Sequence, residues 1–256
     1  MGIGSILLSA GFANLNLIRP ESEEVTFGVD GFLKYELLGH ELYLTTTHIS
    51  LVIIMLILVI FAVIANRVIK NADPDKPPGM FLNVVEYLVE AVDNLTKSNM
   101  GERGYKFSNY IGTLAIFVLI SNISGLVGLR PPTADYGATL ALALITFVLI
   151  HYNGFKYQKA KHITDLFHPV LLTPINIIGE IATPLSMSLR LFGNILSGTV
   201  MMGLIYGLLP MLLQFFIFPV FGVLHAYFDV FSGAIQTYVF CMLTMVFIKQ
   251  AFGDED

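Results

Sequence analysis

The sequence predicts an all-α polytopic membrane protein with about five spanning helices, one interfacial amphipathic helix, and a last pair of helices that are long and strongly tilted. Its 256 residues are 55% hydrophobic and only 13% charged, and the mean hydropathy is +0.73. Soluble domains carry roughly 25% charged residues. The apolar residues also fall in runs long enough to cross a hydrocarbon core as helices. We therefore expect an N-terminal external segment, 1–47, and a single membrane domain, 48–256.

Hydropathy along the chain places the spans at 49–70, 107–129, 136–157, 174–209 and 211–249. Arg130, followed by two prolines, closes the second span and leaves a tight hairpin to the third. Pro210 separates the fourth span from the fifth, because proline lacks the N–H that a helix needs. Some 34 helical residues reach about 50 Å, whereas the hydrocarbon core is about 30 Å thick. The last two helices must therefore tilt or bend, with Pro184 and Pro219 as candidate bends.

A further helix is predicted over 80–98, between the first and second spans. Apolar residues recur there at helical spacing, while Glu86, Glu90 and Asp93 share the other face. The preceding NADPDKPPG is a linker that fixes its start. This amphipathic pattern predicts a helix at the membrane interface or against a partner, and excludes a span.

The orientation follows from the lysines and arginines in the connecting segments. The stretch between the first two spans and the stretch between the third and fourth are rich in them, whereas the second-to-third connection has only Arg130. Cytoplasmic connections carry such an excess. The N-terminus is therefore predicted to lie outside and the C-terminus in the cytoplasm.

Several functional classes are excluded. The single cysteine, Cys241, allows no internal disulfide and no cysteine-based metal cluster. The net charge of -5 comes largely from acidic termini and offers no basic surface to a nucleic acid. The sequence contains no G-x-x-x-x-G-K-[ST], H-E-x-x-H or G-x-S-x-G motif. We therefore expect no catalytic site, cofactor or metal in this chain.

Arg190 is the most informative residue, because it lies in the middle of a long, nearly uncharged stretch. A guanidinium at bilayer depth costs between about 2.5 and 17 kcal/mol, depending on how the cost is assessed. Arginine cannot escape this cost by losing its proton. It persists in a membrane only with a partner, a water-filled cavity or a function, and this predicts ion handling.

Polar residues follow one face of each of the last two spans at three- and four-residue steps. On the fourth span they are Glu180, Thr183, Ser186 (or Met187), Arg190, Asn194 and Ser197; on the fifth they are His225, Asp229, Ser232 and Gln236. Two such stripes on adjacent antiparallel helices can face each other. Arg190 then separates a cytoplasmic polar path from an outer one.

Simpler readings apply to part of this pattern. A hydroxyl residue taken singly, such as Thr139, is more often a helix-packing residue. His151 lies near the cytoplasmic boundary and is interpreted as interfacial. A purely structural ion pair between Arg190 and Asp229 remains the alternative to a functional arginine.

The motifs SMSLRLFGN and, one helix later, AIQTYVF resemble the signature of subunit a of the rotary F-type ATP synthase. The resemblance extends from the first span to the C-terminus. It implies a stator subunit whose two long tilted helices lie against a rotating ring of c subunits, with aqueous half-channels opening to opposite sides. It also implies that Arg190 is the essential arginine, that Asn194 and Gln236 are the polar residues near it, and that Asn122 belongs to the outer access channel.

The chain departs from a common pattern of that family at two positions. Many members have a carboxylate nine residues after the arginine, where this chain has Thr199, and a histidine seven residues before the glutamine, where it has Asp229. A carboxylate at the second position can relay a proton or coordinate Na⁺. The coupling ion therefore stays open between H⁺ and Na⁺.

The predicted function is an ion-translocating stator subunit, with the alternative of a stand-alone secondary transporter or ion channel. The predicted outer half-channel contains Asp229, His225, Gln236, Asn194, Asn122 and Thr199, and the cytoplasmic half-channel contains Glu180, Thr183 and Ser186. The implied partners are the ring of c subunits, b-type peripheral stalk subunits, membrane lipid and, indirectly, the catalytic ATPase sector. The implied location is the bacterial plasma membrane. A purely structural membrane anchor would tolerate Arg190→Leu.

Overall fold

The computed structural model describes residues 31–37, 40–72, 79–159, 161–164, 167, 172–208 and 222–253. The chain divides into two compact units, Met1–Thr45 and Thr46–Asp256. The predicted boundary between the external segment and the membrane domain was 47/48. The N-terminal residues 1–30 and the first part of the predicted fifth span, 211–221, lie outside the described residues.

The N-terminal unit contains a β-hairpin. Strand β1, Gly31–Leu37, pairs antiparallel with β2, His40–Thr45, in a register that runs from Leu37 opposite His40 to Gly31 opposite Thr45. The sequences GFLKYEL and HELYLT contain phenylalanine, tyrosine and threonine, which favour strands. The sequence analysis left this segment without a structural prediction, so the hairpin adds to the all-α architecture.

The described residues of the second unit form helices joined by short connections, which confirms the predicted fold class. The helices are α1 (Thr46–Lys70), α2 (Met80–Gly104), α3 (Ser108–Ile123), α4 (Tyr136–Tyr157), the short α5 (Lys161–Thr164), α6 (Thr173–Leu208) and α7 (Gly222–Ala251). Five helical stretches of the described chain are long and apolar enough to cross a membrane. They are Thr46–Lys70, Met80–Val127 across α2 and α3, Tyr136–Tyr157, Thr173–Ile205 and Gly222–Ala251.

Local chemistry sets the helix ends. Gly101 has φ 69° and ψ −173°, a backbone conformation open essentially only to glycine, and it breaks the last turn of α2. Asp135 caps α4, because its Oδ1 accepts a hydrogen bond of 2.9 Å from the backbone N–H of Gly137. Pro184 lies inside the 36 residues of α6. Without an N–H, it leaves the carbonyl of Glu180 without its helical donor.

The core lies where α3, α4 and α6 surround α7. Three of these helices contribute fully buried side chains to it: Val118, Leu191 and Met245 are each 0% exposed. Hydroxyl side chains are buried in the same interfaces, and the hydroxyls of Tyr110 on α3 and Thr146 on α4 are 3.3 Å apart. Small and hydroxylated residues let helices approach closely where lipid removes the hydrophobic drive between them.

The end of α4 and the end of α7 are joined by an aromatic cage around Lys106. Its ammonium lies 4.7 Å from the ring centroid of Tyr157 and 5.5 Å from that of Phe252, and it also donates to the Tyr157 hydroxyl. Gln158 adds a link, because its Nε2 donates to the carbonyls of Gln250 and Ala251 at 3.1 and 3.2 Å. These contacts fix the C-terminal turn of α7 against the rest of the unit.

Large apolar side chains cover the outside of the unit. On α1, Val52 and Ile60 are each 57% exposed, and on α6 Ile178 is 66% exposed. A surface this apolar is unstable in water and suits contact with lipid or with another membrane subunit.

Candidate functional site

Arg190 lies on the exposed surface of α6. The neighbouring leucines Leu185 and Leu189 are 44% and 48% exposed, and a Cβ built on Gly193 would meet no atom within 4 Å. Within the described ranges, Arg190 makes no hydrogen bond and no ion pair. A permanent cation therefore projects from an apolar helix face that has open space beside it.

The alternative of a structural ion pair between Arg190 and Asp229 does not hold. The carboxylate of Asp229 instead contacts His225, with 2.8 Å between Oδ2 and Nδ1. An arginine at bilayer depth needs a compensating group. The described part of the chain supplies no ion-pair partner for Arg190.

The two polar stripes meet between α6 and α7. The hydroxyl of Ser232 donates to Oδ1 of Asn194 at 2.8 Å, one turn beyond Arg190. Close packing supports this contact, because a Cβ on Gly198 would lie 3.7 Å from Phe228. One turn further along α7, Gln236 is 8% exposed, and its Nε2 has no hydrogen-bond partner among the residues described. That amide is a buried donor available to a group that approaches this interface.

Asp229 lies on a π-helical turn of α7, Ala226–Phe231, and His225 directly precedes that turn. Such wide turns occur as single-turn interruptions of α-helices and are frequent at functional sites. A Cβ built on Gly125 would be 4.0 Å from the Asp229 carboxyl carbon, so the turn after α3 comes close to this carboxylate. We use the term outer cluster, after the predicted outer half-channel, for Asn194, His225, Asp229, Ser232 and Gln236.

Asn122 is part of a closed hydrogen-bond network beside the outer cluster. It is 1% exposed; its Nδ2 donates to the Gly233 carbonyl at 3.1 Å and to the Thr237 hydroxyl at 3.4 Å, and its Oδ1 accepts from Thr133 at 2.8 Å. The crossing is tight at Gly233, since a Cβ built there would lie 3.0 Å from the Cβ of Asn122. The amide thus links α3, α7 and the turn that precedes α4. Its role in ion access stays a prediction.

Thr199 lies apart from these contacts. Its hydroxyl donates to the carbonyl of Ile195 in its own helix at 2.9 Å, and the residue is exposed on α6. A hydroxyl bonded in this way is a common helix-packing feature.

The predicted cytoplasmic residues divide into two places. Glu180 and Thr183 line a partly open cavity of about 190 Å³ between α4, α6 and α7. Ser186 is exposed on α6 and does not line this cavity. Sequence reasoning missed the neighbour of Glu180: its Oε1 lies 3.5 Å from Nε2 of His151 on α4. The stripe pattern covers one helix at a time and carries no signal for this contact between α4 and α6.

Among the residues described, no group of three or more His, Cys, Asp or Glu side chains is arranged to hold a metal ion. Cys241 is buried and unpaired with another cysteine.

Known proteins are similar to this chain over most of its length. The family model described as ATP synthase A chain matches residues 48–249. A protein of Propionigenium modestum named "ATP synthase subunit a, sodium ion specific" is 34% identical over 255 residues, covering 93% of this chain and 81% of that protein. Subunit a of Mycoplasmoides gallisepticum is 31% identical, covering 80% and 78%. Subunit a of Geotalea daltonii is 34% identical, covering 77% and 83%.

Proposed function

Because this chain belongs to the ATP synthase A chain family, we propose that it is the ion-translocating stator subunit of an F-type ATP synthase. The spanning helices and the bacterial relatives support an integral protein of the bacterial plasma membrane. In this proposal the N-terminus lies outside and the C-terminus in the cytoplasm. The partners are a ring of c subunits and b-type stalk subunits, and ATP chemistry belongs to the catalytic sector.

The observation that carries the proposal is the exposed guanidinium of Arg190 on an apolar helix face, with no carboxylate from the described chain paired to it. A ring carboxylate that has lost its cation is the matching partner. A neutral carboxyl or ion-occupied site can face lipid, whereas the bare anion cannot and is held by Arg190 through a charge-assisted contact. The arginine therefore makes each passing ring site release its ion.

The outer cluster supplies ions to the ring in this mechanism. Asp229 and His225 accept the ion from outside. Asn194, bonded to Ser232, lies between that pair and Arg190, and Gln236 follows one turn after Ser232 on α7. The free Nε2–H₂ of Gln236 stabilises the ring carboxylate while it is charged. Thr199 lies farther along the same half of α6, with its hydroxyl bonded within the helix, and the satisfied network of Asn122 braces the wall of the path.

The cytoplasmic path removes the ion released at Arg190. Ser186, Thr183 and Glu180 lie one, two and three turns before it along α6. Because Arg190 is always charged, it blocks direct passage between the two paths, and the ion crosses only with the ring. Each elementary charge that crosses 100 mV contributes about 2.3 kcal/mol, so several ions are needed for each ATP.

The coupling ion is H⁺ or Na⁺. The relative from P. modestum is named sodium ion specific. The carboxylate of Asp229 suits either ion, since carboxylates transfer protons and also provide the oxygen ligands of hard cations.

The test uses the purified complex in sealed vesicles, with ATP synthesis driven by an imposed ion gradient. Arg190→Ala should abolish synthesis while the complex still assembles, and Arg190→Lys should stay far below the wild type, because an ammonium lacks the planar fork of a guanidinium. Val148→Ala, at a position of α4 that is 63% exposed, is the matched control and should retain synthesis. Normal synthesis by Arg190→Ala or Arg190→Leu would reject the role. Ion flux through the chain without a ring would favour a stand-alone transporter.

A further inference from the structure

The cavity between α4, α6 and α7 combines polar groups from three helices. Glu180 and Thr183 come from α6, Gln158 follows α4, and Gln250 lies at the end of α7. The volume of about 190 Å³ has room for several water molecules, and the polar lining gives them hydrogen-bond partners. Both glutamines lie at the helix ends on the side of the C-terminus, so the cavity is on the membrane side assigned to the cytoplasm.

The Glu180 carboxylate is held at the wall of this cavity by a neighbouring helix. Nε2 of His151 lies 3.5 Å from Oε1 of Glu180, and the two side chains are 25% and 33% exposed. The imidazole is itself fixed by an edge-to-face contact with Phe147, with 4.2 Å between ring centroids and 87° between planes. Phe147 also lines the cavity. The contact therefore orients a carboxylate at the cavity through a ring that is already constrained.

We propose that the cytoplasmic ion path runs through the cavity between α4, α6 and α7, and that His151 is a positioning residue that holds the Glu180 carboxylate in its wall. The inference rests on the proposed function and adds to it a route and a residue on α4. The ligand is a hydrated monovalent cation, H⁺ carried by water or Na⁺. The oriented carboxylate attracts the cation away from the positive field of Arg190, and the water in the cavity hydrates it on the way out.

The first experiment separates positioning from packing at His151, using ion-driven ATP synthesis by the reconstituted complex. His151→Phe keeps an aromatic ring against Phe147 but has no N–H to face Glu180, and it should slow synthesis roughly threefold or more, as expected for a lost contact to a charged group. His151→Gln keeps an N–H donor and should restore most of the rate. In a Glu180→Gln background the Phe substitution should have little further effect, because residues in contact are non-additive. The reverse order, with Phe near the wild type and Gln impaired, would show a packing role.

The second experiment tests the route by cysteine labelling. Cys241 is replaced by alanine, and a cysteine is placed at Thr183 in the cavity wall or, as a control, at Val148 on the exposed apolar face of α4. In the assembled complex, a charged, membrane-impermeant thiol reagent applied from the cytoplasmic side should label Thr183→Cys roughly tenfold faster than Val148→Cys, because only the thiolate in water reacts. Equal rates, or labelling of Thr183→Cys from the outer side alone, would overturn the route.

The two proposals fail in different ways. If Arg190→Ala still makes ATP, the proposed function is rejected. If Arg190→Ala is inactive while Thr183→Cys is unlabelled and His151→Phe is normal, the stator function stands and this exit route is wrong.

Discussion

Replacing Asn122 by alanine removes an entire interhelical network with one substitution. The side chain, 1% exposed, donates to the Gly233 carbonyl and the Thr237 hydroxyl on α7 and accepts from Thr133 in the turn before α4. Thr237 also donates to the Gly233 carbonyl at 2.8 Å, so that carbonyl keeps a partner in the variant. Thr133 loses the acceptor of its hydroxyl.

The expected loss of stability follows from these three bonds. Interhelical side-chain hydrogen bonds in membrane proteins contribute about 0.6 kcal/mol each on average and up to about 1.7 kcal/mol. The network of Asn122 therefore amounts to about 2 kcal/mol, and at most about 5 kcal/mol. Asn122→Leu fills the space left by the amide, so a comparison with Asn122→Ala separates the polar loss from the cavity.

The assay measures the free energy of unfolding of the full chain in mixed micelles by titration with a denaturing detergent. Asn122→Ala should lower it by about 2 kcal/mol. Thr113→Ala on the same helix is the control, because that hydroxyl bonds to the carbonyl of Asn109 in its own helix and the residue is exposed. It should stay within about 0.5 kcal/mol of the wild type.

Ion pumping per assembled complex provides the decisive comparison. If Asn122 only braces the path, its replacement lowers stability and assembly, yet the complexes that do assemble pump at nearly the wild-type rate. If Asn122→Ala unfolded like the wild type but stopped ion flux, Asn122 would handle the ion directly, and the argument from its satisfied hydrogen bonds would be refuted.

Three further predictions concern backbone and packing. Gly101→Ala should destabilise the chain by about 1–3 kcal/mol, because φ 69° with ψ −173° is strained for alanine. An unfolding midpoint equal to that of the wild type would contradict this. Gly233→Ala should cost about 1–3 kcal/mol by overpacking against Asn122, and a midpoint within error of the wild type would show that the helices separate freely. Lys106→Gln should lower the free energy of unfolding by about 1 kcal/mol, as cation–π contacts are lost, and no change would show that the aromatic cage is stable without its cation.

The sequence predicted the helical architecture because the bilayer imposes a simple rule. A helix must be apolar for about 20 residues to cross it, and hydropathy detects such runs directly. The same rule made Arg190 conspicuous, since one charge among apolar residues is easily recognised. The three- and four-residue spacing then predicted that Asn194 and Ser232 lie on facing stripes, and their hydrogen bond joins the two helices.

Contacts that depend on helix register were beyond this reasoning. His151 was interpreted as an interfacial residue, because its position along α4 carries no information about its rotation toward Glu180 on α6. The π turn at Ala226–Phe231 was also missed: a polar stripe at i, i+4 reads the same whether one turn is widened or regular. The hairpin before α1 lies in a segment where short mixed polar and apolar runs give no decisive period.

Asn122 differs from Arg190 and Gln236 in how far its polar atoms are hydrogen-bonded within the chain. Around Asn122 every amide atom has a partner within the chain, which suits a rigid wall between α3 and α7. Toward α6 the described chain leaves the guanidinium of Arg190 exposed and the Nε2 of Gln236 without an acceptor. Both groups are donors, so the missing partner is an acceptor, and a passing carboxylate meets that need more strongly than any neutral group. In the proposed function, both donors lie where the ring carboxylate passes, which matches a donor pair to an anion.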